Sequence, residues 1–422
     1  MRFSPLDPAP RHYTAEVSLI RRSARGPASA PAQTSPEAIE DWLFDGAMRE
    51  NDMLTLFESL AWRLVAAGLP VDRLTLHVGT LHPQIRGFAW FWSGVDGFCD
   101  EVKIGEGVPR TEAYRLSPLR RVIDHGETFR ADPRDPDLAA RFPVLADLAA
   151  QGFTDYAALP LGSDDYYNVL TVATTSARGL AAELEELRRL RKIFALHVQR
   201  HIALRVAGNV LDIYLGAAAG ARVLEGSIRR GAGEAIRAVV FAADMRGFTE
   251  LSGRLAGPDM IALLNTYFER LAGAVLAADG EVLKFVGDGL LAVFPFTAFG
   301  GPEPAAAAAL RAAHAALAAI DALNAEPGPL AAVDGWRPLR AGIALHAGEV
   351  FFGNVGAAER LDFTVIGPAV NEACRVESLT KPLGRPLLLT AAVARLLGDA
   401  GEPLGAHALP GVAEPVAVFA PR

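Results

Sequence analysis

The sequence predicts an α+β protein of two domains, the second of which has a ferredoxin-like βαββαβ core. Three observations lead to this prediction. The chain has 422 residues, which is too long for one ordinary hydrophobic core. Hydrophobic residues make up 51% of it, so it has ample apolar side chains to bury. From about residue 237 onward, strand and helix patterns follow one another in the order of a βαββαβ unit.

Charge, cysteine content and hydropathy exclude several classes of protein. The formal net charge of -8 argues against a nucleic-acid partner, which normally leaves a basic patch. Cys99 and Cys374 are the only cysteines and lie far apart, so the sequence supports neither a disulfide framework nor a zinc site, and a reducing, cytoplasmic setting fits. Charged residues interrupt the alanine-rich tract 304–323, which therefore predicts a soluble helix and no membrane span. The N-terminus lacks the apolar region of a secretory signal.

Residues 1–35 mix Pro, Ala, Ser and Arg without periodicity and predict a disordered leader. A helix follows, and then the patterns of a small antiparallel sheet with two helices and a closing hairpin. The predicted strands cover residues 74–78, 87–92, 101–104, 156–162 and 167–173, and the predicted helices cover 117–125 and 143–151. In this order of elements, residues 36–180 resemble a GAF-type sensory domain. Four aromatic residues could line a ligand pocket there, although strand aromatics more often belong to a core: Trp90, Trp92, Tyr166 and Tyr167.

Residues 181–236 are predicted to link the two domains. The segment begins with a long helix, to about residue 206, whose Leu187, Leu190, Phe194, His197, His201 and Leu204 follow an a/d spacing. Two interpretations fit this spacing: a parallel dimer seam, or the last helix of the sensory domain packed on its own sheet. The two histidines, four residues apart, are more typical of a polar seam or surface than of a ligand site. Residues 209–236 have the glycine-rich composition of a connector.

Two carboxylates lie at strand ends of the second domain, residues 237–422. Asp244 follows the predicted strand 238–243, and Asp288 lies in a Gly-Asp-Gly turn between strands 281–286 and 290–294. The remaining predicted elements are a helix from Pro258, the alanine-rich helix, a hairpin of strands 339–345 and 349–352, a helix over 367–379, and strands 386–389 and 416–419. Adjacent strand ends would allow the two aspartates to share hard cations, which favour carboxylate and phosphate oxygens.

Four segments in order carry a resemblance to a known family. They are Phe241-Ala242-Ala243-Asp244-Met245-Arg246-Gly247-Phe248-Thr249, the turn from Lys284 to Gly289, the segment from Gly342 to Val350 with Gly353-Asn354-Val355-Gly356, and the segment from Thr364 to Arg375. With these motifs, the domain from Val239 to about Ala420 resembles the class III nucleotidyl cyclases. The resemblance implies an adenylate cyclase that converts ATP to 3',5'-cyclic AMP and pyrophosphate.

The same resemblance implies a role for each site residue. Asp244, Met245 and Asp288 would hold two Mg²⁺ or Mn²⁺ ions. Lys284 and Thr364 would read adenine, whereas guanylate cyclases typically place a glutamate and a cysteine-like residue there. The backbone of Arg246, Gly247, Phe248 and Thr249 would cradle phosphate oxygens. Asn371 would orient the ribose and Arg375 would stabilise charge on the phosphoryl group.

Family members combine the metal aspartates of one protomer with the purine-reading residues of the other, so the resemblance implies a homodimer. One feature departs from the family pattern: Leu409-Pro410-Gly411 stands where many members have a phosphate-binding lysine. Either triphosphate binding is weaker for that reason, or Arg340, Arg360, Lys381 or another cation substitutes for the lysine. Two alternatives to an adenylate cyclase remain, namely a guanylate cyclase and a non-catalytic nucleotide-binding or dimerisation module.

Overall fold

A computed structural model describes residues 13, 16–80, 85–162, 168–333, 335–357, 359–398 and 401–421. These residues form two compact units, Met1–Val210 and Leu211–Arg422. Tyr166 and Tyr167, proposed from the sequence as pocket residues, lie outside the described residues, as does most of the predicted leader before residue 16.

The first unit has seven strands and seven helices among its described residues. They are β1 (Val17–Ser23), α1 (Pro36–Phe44), α2 (Met53–Ala66), β2 (Arg73–Gly79), β3 (Ile85–Ser93), β4 (Cys99–Gly105), α3 (Glu112–Arg115), α4 (Pro118–His125), β5 (Phe129–Ala131), α5 (Pro136–Arg141), α6 (Pro143–Ala150), β6 (Asp155–Pro160), β7 (Val169–Thr174) and α7 (Leu184–Leu215). Every strand and helix predicted between residues 74 and 173 is present, with ends shifted by a few residues.

The seven strands form one antiparallel sheet in the order β1-β4-β3-β2-β7-β6-β5. One face of this sheet packs against α2 and α7, where Phe57 and Phe194 meet Trp92 in a single buried cluster. Trp90 belongs to the same cluster, so both predicted strand tryptophans lie in the core. The leader prediction is wrong from Val17 onward, because β1 pairs with β4 and completes the sheet edge.

The long helix α7 packs along the sheet of its own unit. Leu187, Leu190 and Phe194 are buried in the first-unit core, and His197 hydrogen-bonds the carbonyl of Leu43 at 2.6 Å. Of the two interpretations of the a/d spacing, packing on the unit's own sheet therefore holds as far as Val198. Beyond that point the apolar side chains are more exposed, with 53% of Leu204 accessible.

The second unit begins with the end of α7. It continues with α8 (Ala217–Leu224), β8 (Gly233–Met245), α9 (Phe248–Ser252), α10 (Gly257–Ala277), β9 (Glu281–Val286), β10 (Gly289–Pro295), α11 (Pro302–Ala325), β11 (Ala341–Ala357), β12 (Arg360–Ile366), α12 (Pro368–Leu379), β13 (Leu387–Thr390), α13 (Ala391–Leu397), β14 (Glu402–His407) and β15 (Val416–Ala420).

The second sheet has the order β14-β15-β13-β11-β8-β10-β9, and β12 pairs with β11. Its four strands β11-β8-β10-β9 are antiparallel and arise from the chain order β8, α10, β9, β10, α11, β11. This is the βαββαβ arrangement of a ferredoxin-like fold, as predicted. The strands β13, β14 and β15 extend the sheet beyond β11.

Two predictions for this unit are wrong. The predicted hairpin 339–345 and 349–352 is one continuous strand, β11, which passes through Gly348 and turns only at its end to pair with β12. Gly348 serves close packing there, because a Cβ at this position would lie 2.7 Å from the Cβ of Ala369 on α12. The predicted connector 209–236 contains helix α8, and its Ala219 is fully buried against the second sheet.

Two helices of the second unit, Gly257–Ala277 and Pro302–Ala325, are long and apolar enough to cross a membrane by length and composition alone. The sequence predicted no membrane span in the alanine-rich tract, yet the helix it forms meets these two criteria. Both helices pack together on the sheet. Most of the buried side chains of α11 are alanines in contact with the core of the unit, as expected of a core helix in a globular domain.

Candidate active site

The two aspartates predicted as metal ligands meet at one edge of the second sheet. Asp244 is the last but one residue of β8, and Asp288 lies in the turn between β9 and β10. Because β10 pairs with β8 from Leu290 and Ala243 onward, this turn adjoins the end of β8. The two carboxyl groups are close enough to hydrogen-bond. Burial and the neighbouring charge of Asp288 together raise the pKa of Asp244 to about 6.

Met245 occupies the end of β8 with its side chain buried in the core, 3% exposed. Only its backbone carbonyl is therefore placed to act as a metal ligand. Among the described residues no three His, Cys, Asp or Glu side chains converge as a metal site. The carboxylate pair of Asp244 and Asp288 is thus the acidic donor set that the fold provides.

Glu377 is a third acid at this edge that the sequence analysis missed. It lies on α12, and its Oε1 would be 2.4 Å from a Cβ at Gly342, the residue that pairs with Asp244 across β8 and β11. Burial and then the charge of Asp244 raise the pKa of Glu377 to about 7. Tyr267 is fully buried, and its hydroxyl has no hydrogen-bond partner in the described structure. Burial, and then the charges of the same acids, raise its pKa. The edge is therefore a half-buried region in which the three acids Asp244, Asp288 and Glu377 lie close together, with Arg246 near Glu377.

The segment after β8 contributes a short turn of helix. Gly247 has φ 80, a conformation that favours glycine, and α9 starts at the next residue, Phe248. The predicted backbone cradle is wrong at Arg246, because its N–H donates to the carbonyl of Arg340 at 2.8 Å. The N–H groups available to an anion thus begin at Gly247 and extend through Thr249.

Four arginines surround a cavity of about 380 Å³ beside this turn: Arg246, Arg254, Arg337 and Arg340. Among the described residues of the cavity wall, Glu250 is the one acid, and it contacts Arg254 at 2.7 Å and Arg337 at 3.4 Å. Burial lowers the pKa of Arg246, and the nearby Arg340 adds to that effect. The cavity therefore carries an excess of positive charge next to the acidic edge.

The two residues predicted to read the purine lie on β9 and β12. Lys284 donates from Nζ to Asp362 Oδ2 at 3.2 Å. Thr364 is 3% exposed, and its hydroxyl has no hydrogen-bond partner within the described part of the chain. A buried hydroxyl without a partner is uncommon in folded proteins, which marks Thr364 as a group placed to bond a ligand.

Helix α12 positions the remaining predicted site residues. Its Ala369, Ala373 and Val376 are buried against the sheet, while Asn371 is exposed on the outer side. Arg375, one turn further along, lies against the turn at Gly411, where an added Cβ would be 3.0 Å from its Nη1. The Pro410-Gly411 turn, which replaces the lysine of the family pattern, thus provides the surface on which the Arg375 guanidinium rests.

The predicted site residues are not all brought together within one chain. Asp244, Asp288 and the start of α9 share one edge, while Lys284 and Thr364 belong to the neighbouring strands β9 and β12. Among the described residues, no hydrogen bond or ion pair joins Asn371 or Arg375 to the two aspartates.

Comparison with known proteins identifies the family of the second unit. Residues 234–402 match the model of the adenylate and guanylate cyclase catalytic domain. The second unit is therefore a class III adenylate/guanylate cyclase catalytic domain, and the resemblance noted in the sequence is confirmed. Catalytic domains of this class use divalent metal ions, bind nucleotides and act as dimers.

Similar proteins include cyclases of both kinds. The adenylate cyclase of Anabaena cylindrica is 34% identical over 171 residues, 40% of this chain and 33% of that protein. Adenylate cyclase 1 of Rhizobium meliloti is 32% identical over 150 residues, 36% of this chain and 22% of that protein. The chain thus spans about a third or less of the length of these curated relatives.

Solved structures similar to the chain include the adenylyl cyclase CyaB from P. aeruginosa, with 29% identity, a TM-score of 0.40, and coverage of 44% of this chain and 93% of that one. They also include the guanylyl cyclase Cya2, with 28% identity, a TM-score of 0.39, and coverage of 44% and 92%.

Proposed function

We propose that this protein is an adenylate cyclase that forms 3',5'-cyclic AMP and pyrophosphate from ATP. The observation that carries the proposal is the pair of half-buried carboxyls at the ends of adjacent strands, Asp244 and Asp288. Burial, and then the charge of Asp288, raise the pKa of Asp244 to about 6 in the absence of a cation. A site that concentrates negative charge in this way is suited to divalent ions, which take carboxylate and phosphate oxygens as ligands.

Asp244, Asp288 and the carbonyl of Met245 would hold two Mg²⁺ or Mn²⁺ ions. When bound, such ions supply Lewis-acid activation of the ribose 3'-hydroxyl and neutralise charge on the triphosphate. The turn from Gly247 to Thr249 would direct its N–H groups toward phosphate oxygens. Arg340 is the one of the three candidate substitutes for the missing lysine that lines the arginine-rich cavity, so we assign the triphosphate contact to Arg340.

Lys284 and Thr364 would select adenine. The ammonium of Lys284 can donate to the ring N1 of adenine. The hydroxyl of Thr364 can accept from the exocyclic amine. A wrong base would leave the buried Thr364 hydroxyl without a partner, and sites of this kind discriminate strongly.

A guanylate cyclase is the second candidate, and Asp362 is the residue that favours it. Its carboxylate lies beside Lys284 and could accept hydrogen bonds from the N1–H and 2-amino groups of guanine. In the described structure this carboxylate is engaged by Lys284, which leaves adenine as the favoured base.

Asn371 and Arg375 would act on the nucleotide bound by a second copy of the chain. Arg375 and Glu377 are two residues apart on α12, so their side chains leave the helix about 200° apart. Glu377 faces the acidic edge of its own chain, and Arg375 therefore projects away from that edge. In a homodimer with two equivalent shared sites, Glu377 would face the site of its own chain and Arg375 the site of the second chain. Asn371 would orient the ribose there, and Arg375 would stabilise charge on the phosphoryl group.

The first unit would regulate this activity in the cytoplasm. Residues 36–180 would act as a GAF-like sensory domain, and residues 181–236 would transmit its state to the catalytic domain, residues 237–422. The ligand would be a small molecule or a protein signal, and the acidic net charge of -8 disfavours a nucleic acid.

Initial rates of pyrophosphate release with ATP and with GTP, each in Mg²⁺ and in Mn²⁺, test the proposal. We expect cyclic AMP and pyrophosphate in equal amounts, faster turnover of ATP than of GTP, and loss of turnover in Asp288→Asn. The matched control Asp321→Asn, on the exposed face of α11, should keep full activity. Faster turnover of GTP would establish the second candidate. ATP binding without pyrophosphate release in either metal would establish a non-catalytic module instead.

A further inference from the structure

The first unit contains a cavity of about 270 Å³ on the helical face of its sheet. The N-terminus of α2, the ends of β2 and β3 and one side of α7 form its wall. Phe88, Trp90 and Leu204 give the wall an apolar part, and Thr80, His201 and Arg205 give it a polar part. The cavity therefore has the mixture of apolar surface and few polar groups that is typical of small-molecule sites.

Four buried polar atoms in this wall have no hydrogen-bond partner among the residues that the structure describes: Nε1 of Trp90, Oγ1 of Thr80, Nη1 of Arg205 and Nε2 of His201. Trp90 is only 3% exposed, so bulk water does not replace the missing partner. Unsatisfied buried groups each cost about 1–3 kcal/mol, and native structures contain few of them. Indole and guanidinium nitrogens can only donate, so the missing partner must supply acceptor oxygens.

The charges around the cavity are already balanced. Arg205 donates from Nη2 to Glu101 Oε1 at 2.8 Å, and its guanidinium stacks 4.1 Å from the ring centre of Phe88. Arg21 bonds both Glu101 and Asp52, each at 2.5 Å. Two arginines thus face two carboxylates, and burial lowers the pKa of His201, which keeps it neutral at pH 7. A charged ligand would upset this balance, and a carboxylate would also meet Asp52 in the cavity wall.

We propose that this cavity binds a small neutral molecule with an aromatic or aliphatic body and a carbonyl oxygen that accepts from Thr80, Trp90 and Arg205. A volume of about 270 Å³ equals that of about nine liquid waters, so the ligand has on the order of ten non-hydrogen atoms. His201, Leu204 and Arg205 lie on α7, the helix that extends to Leu215. Binding therefore stiffens the segment that leads out of the first unit, a regulatory consequence that rests on the proposed function.

Three probes of similar size separate the contributions to binding: acetophenone, isopropylbenzene without an acceptor, and benzoate with a charge. Saturation-transfer NMR on the full chain, without nucleotide, gives their dissociation constants. We expect acetophenone to bind about fivefold or more tightly than either of the others. Equal binding of isopropylbenzene, or tighter binding of benzoate, would overturn the proposal.

Three variants locate the site. Thr80→Val keeps the shape of the side chain without the hydroxyl and should weaken acetophenone about three- to tenfold, while isopropylbenzene is unaffected. Leu204→Trp should fill the cavity and abolish binding. Its matched control is Leu196→Trp, two turns earlier on α7 and 60% exposed, which should bind acetophenone as the parent chain does. Unchanged binding in Leu204→Trp, with native unfolding behaviour, would place the ligand elsewhere and refute the site.

Cyclase assays then separate this inference from the proposed function. Saturating acetophenone should change turnover at least twofold in the parent chain and not in Leu204→Trp. A chain that shows the predicted binding pattern but no turnover of ATP or GTP would keep the site and reject the proposed function. Turnover that ignores acetophenone in the parent chain would reject the regulatory consequence.

Discussion

Lys284 Nζ lies 3.2 Å from Asp362 Oδ2, and Asp362 stands two residues before Thr364 on β12. Residues two apart on a strand point to the same face, so Asp362 and Thr364 share the side that Lys284 reaches. Asp362 is 57% exposed at its side chain, and the ion pair is worth little as a stabilising contact. Its effect is to direct the ammonium toward the face of β12 that Asp362 shares with Thr364.

The ion pair of Lys284 and Asp362 affects which substitutions can change the base specificity from adenine to guanine. Lys284→Glu with Thr364→Cys would introduce the residue types typical of guanylate cyclases, but the new glutamate would place a second negative charge near Asp362, where Lys284 now forms an ion pair. We therefore expect the double variant to lose ATP turnover without gaining GTP turnover. Adding Asp362→Asn should remove the repulsion and raise the ratio of GTP to ATP turnover at least tenfold over the double variant.

Rates of cyclic GMP and cyclic AMP formation under equal metal concentrations measure this ratio. The single variant Asp362→Asn is the control and should shift the ATP Michaelis constant by less than about fivefold, in keeping with a surface ion pair. A double variant that already turns over GTP as well as the triple variant does would show that Asp362 has no part in base selection.

Gly342 is the contact between the acidic edge and α12. A Cβ there would lie 2.3 Å from Thr380 Oγ1 and 2.4 Å from Glu377 Oε1, so Gly342→Ala must shift these two side chains at the end of α12. We expect a loss of about 1–3 kcal/mol in the free energy of unfolding and a fall in turnover. Gly273→Ala is the matched control on α10, because nothing lies within 4 Å of its added Cβ. It should stabilise by about 0.5–1 kcal/mol. Urea unfolding measures both, and an unaffected Gly342→Ala would show that α12 is not packed as described.

The raised pKa of Asp244 predicts a pH-dependent stability for the metal-free protein. Its pKa is about 6 in the folded chain against an ordinary value of 3.8, so the folded state binds an extra proton between these values. Stability from this group is complete below about pH 4 and is lost as pH rises through 6. With EDTA at pH 8, Asp244→Asn should therefore raise the free energy of unfolding by about 1–2 kcal/mol after allowance for solvent screening.

Thermal unfolding at several pH values measures this difference, which should vanish near pH 4. Asp321→Asn is the control and should show no such dependence. With Mg²⁺ and nucleotide present the sign should reverse, because the variant loses a ligand. Destabilisation by Asp244→Asn at pH 8 in EDTA would contradict the charge repulsion inferred at this edge.

The sequence predicted the strands that carry the two aspartates because local patterns determine them. Apolar runs followed by glycine-bounded turns define the ends of β8 and of the β9–β10 hairpin. Gly348 gave a false turn signal within β11, because a glycine required for helix packing looks the same in sequence as one required for a turn. Gly348 is needed because Ala369 packs against it, and Ala369 lies 21 residues further along the chain, where a local pattern does not reveal the contact.

Non-local contacts explain the other differences. Strand β1 has no regular alternation of buried and exposed residues, and distant ion pairs of Arg21 with Glu101 and Arg22 with Asp100 hold it in place. Glu377 is four residues after the buried Ala373, so helical periodicity places it on the sheet-facing side of α12. The sequence therefore shows which side of α12 carries Glu377, but only the folded structure shows that Glu377 lies near Asp244.

The opposite directions of Arg375 and Glu377 on α12 predict that one active site needs two chains. Asp244→Ala removes the metal set and Asn371→Ala removes the ribose contact, so each variant alone should be inactive. In an equal mixture that exchanges freely, half of the dimers combine the two variants, and each of these has one intact site of two. Turnover should therefore recover to about a quarter of the parent value. A mixture of Asp244→Ala with Asp288→Asn is the control, since both lesions belong to the same metal set and leave no intact site. Sedimentation at the assay concentration must show dimers of the variants. Dimers that exchange subunits and still give no turnover would place the complete site within one chain.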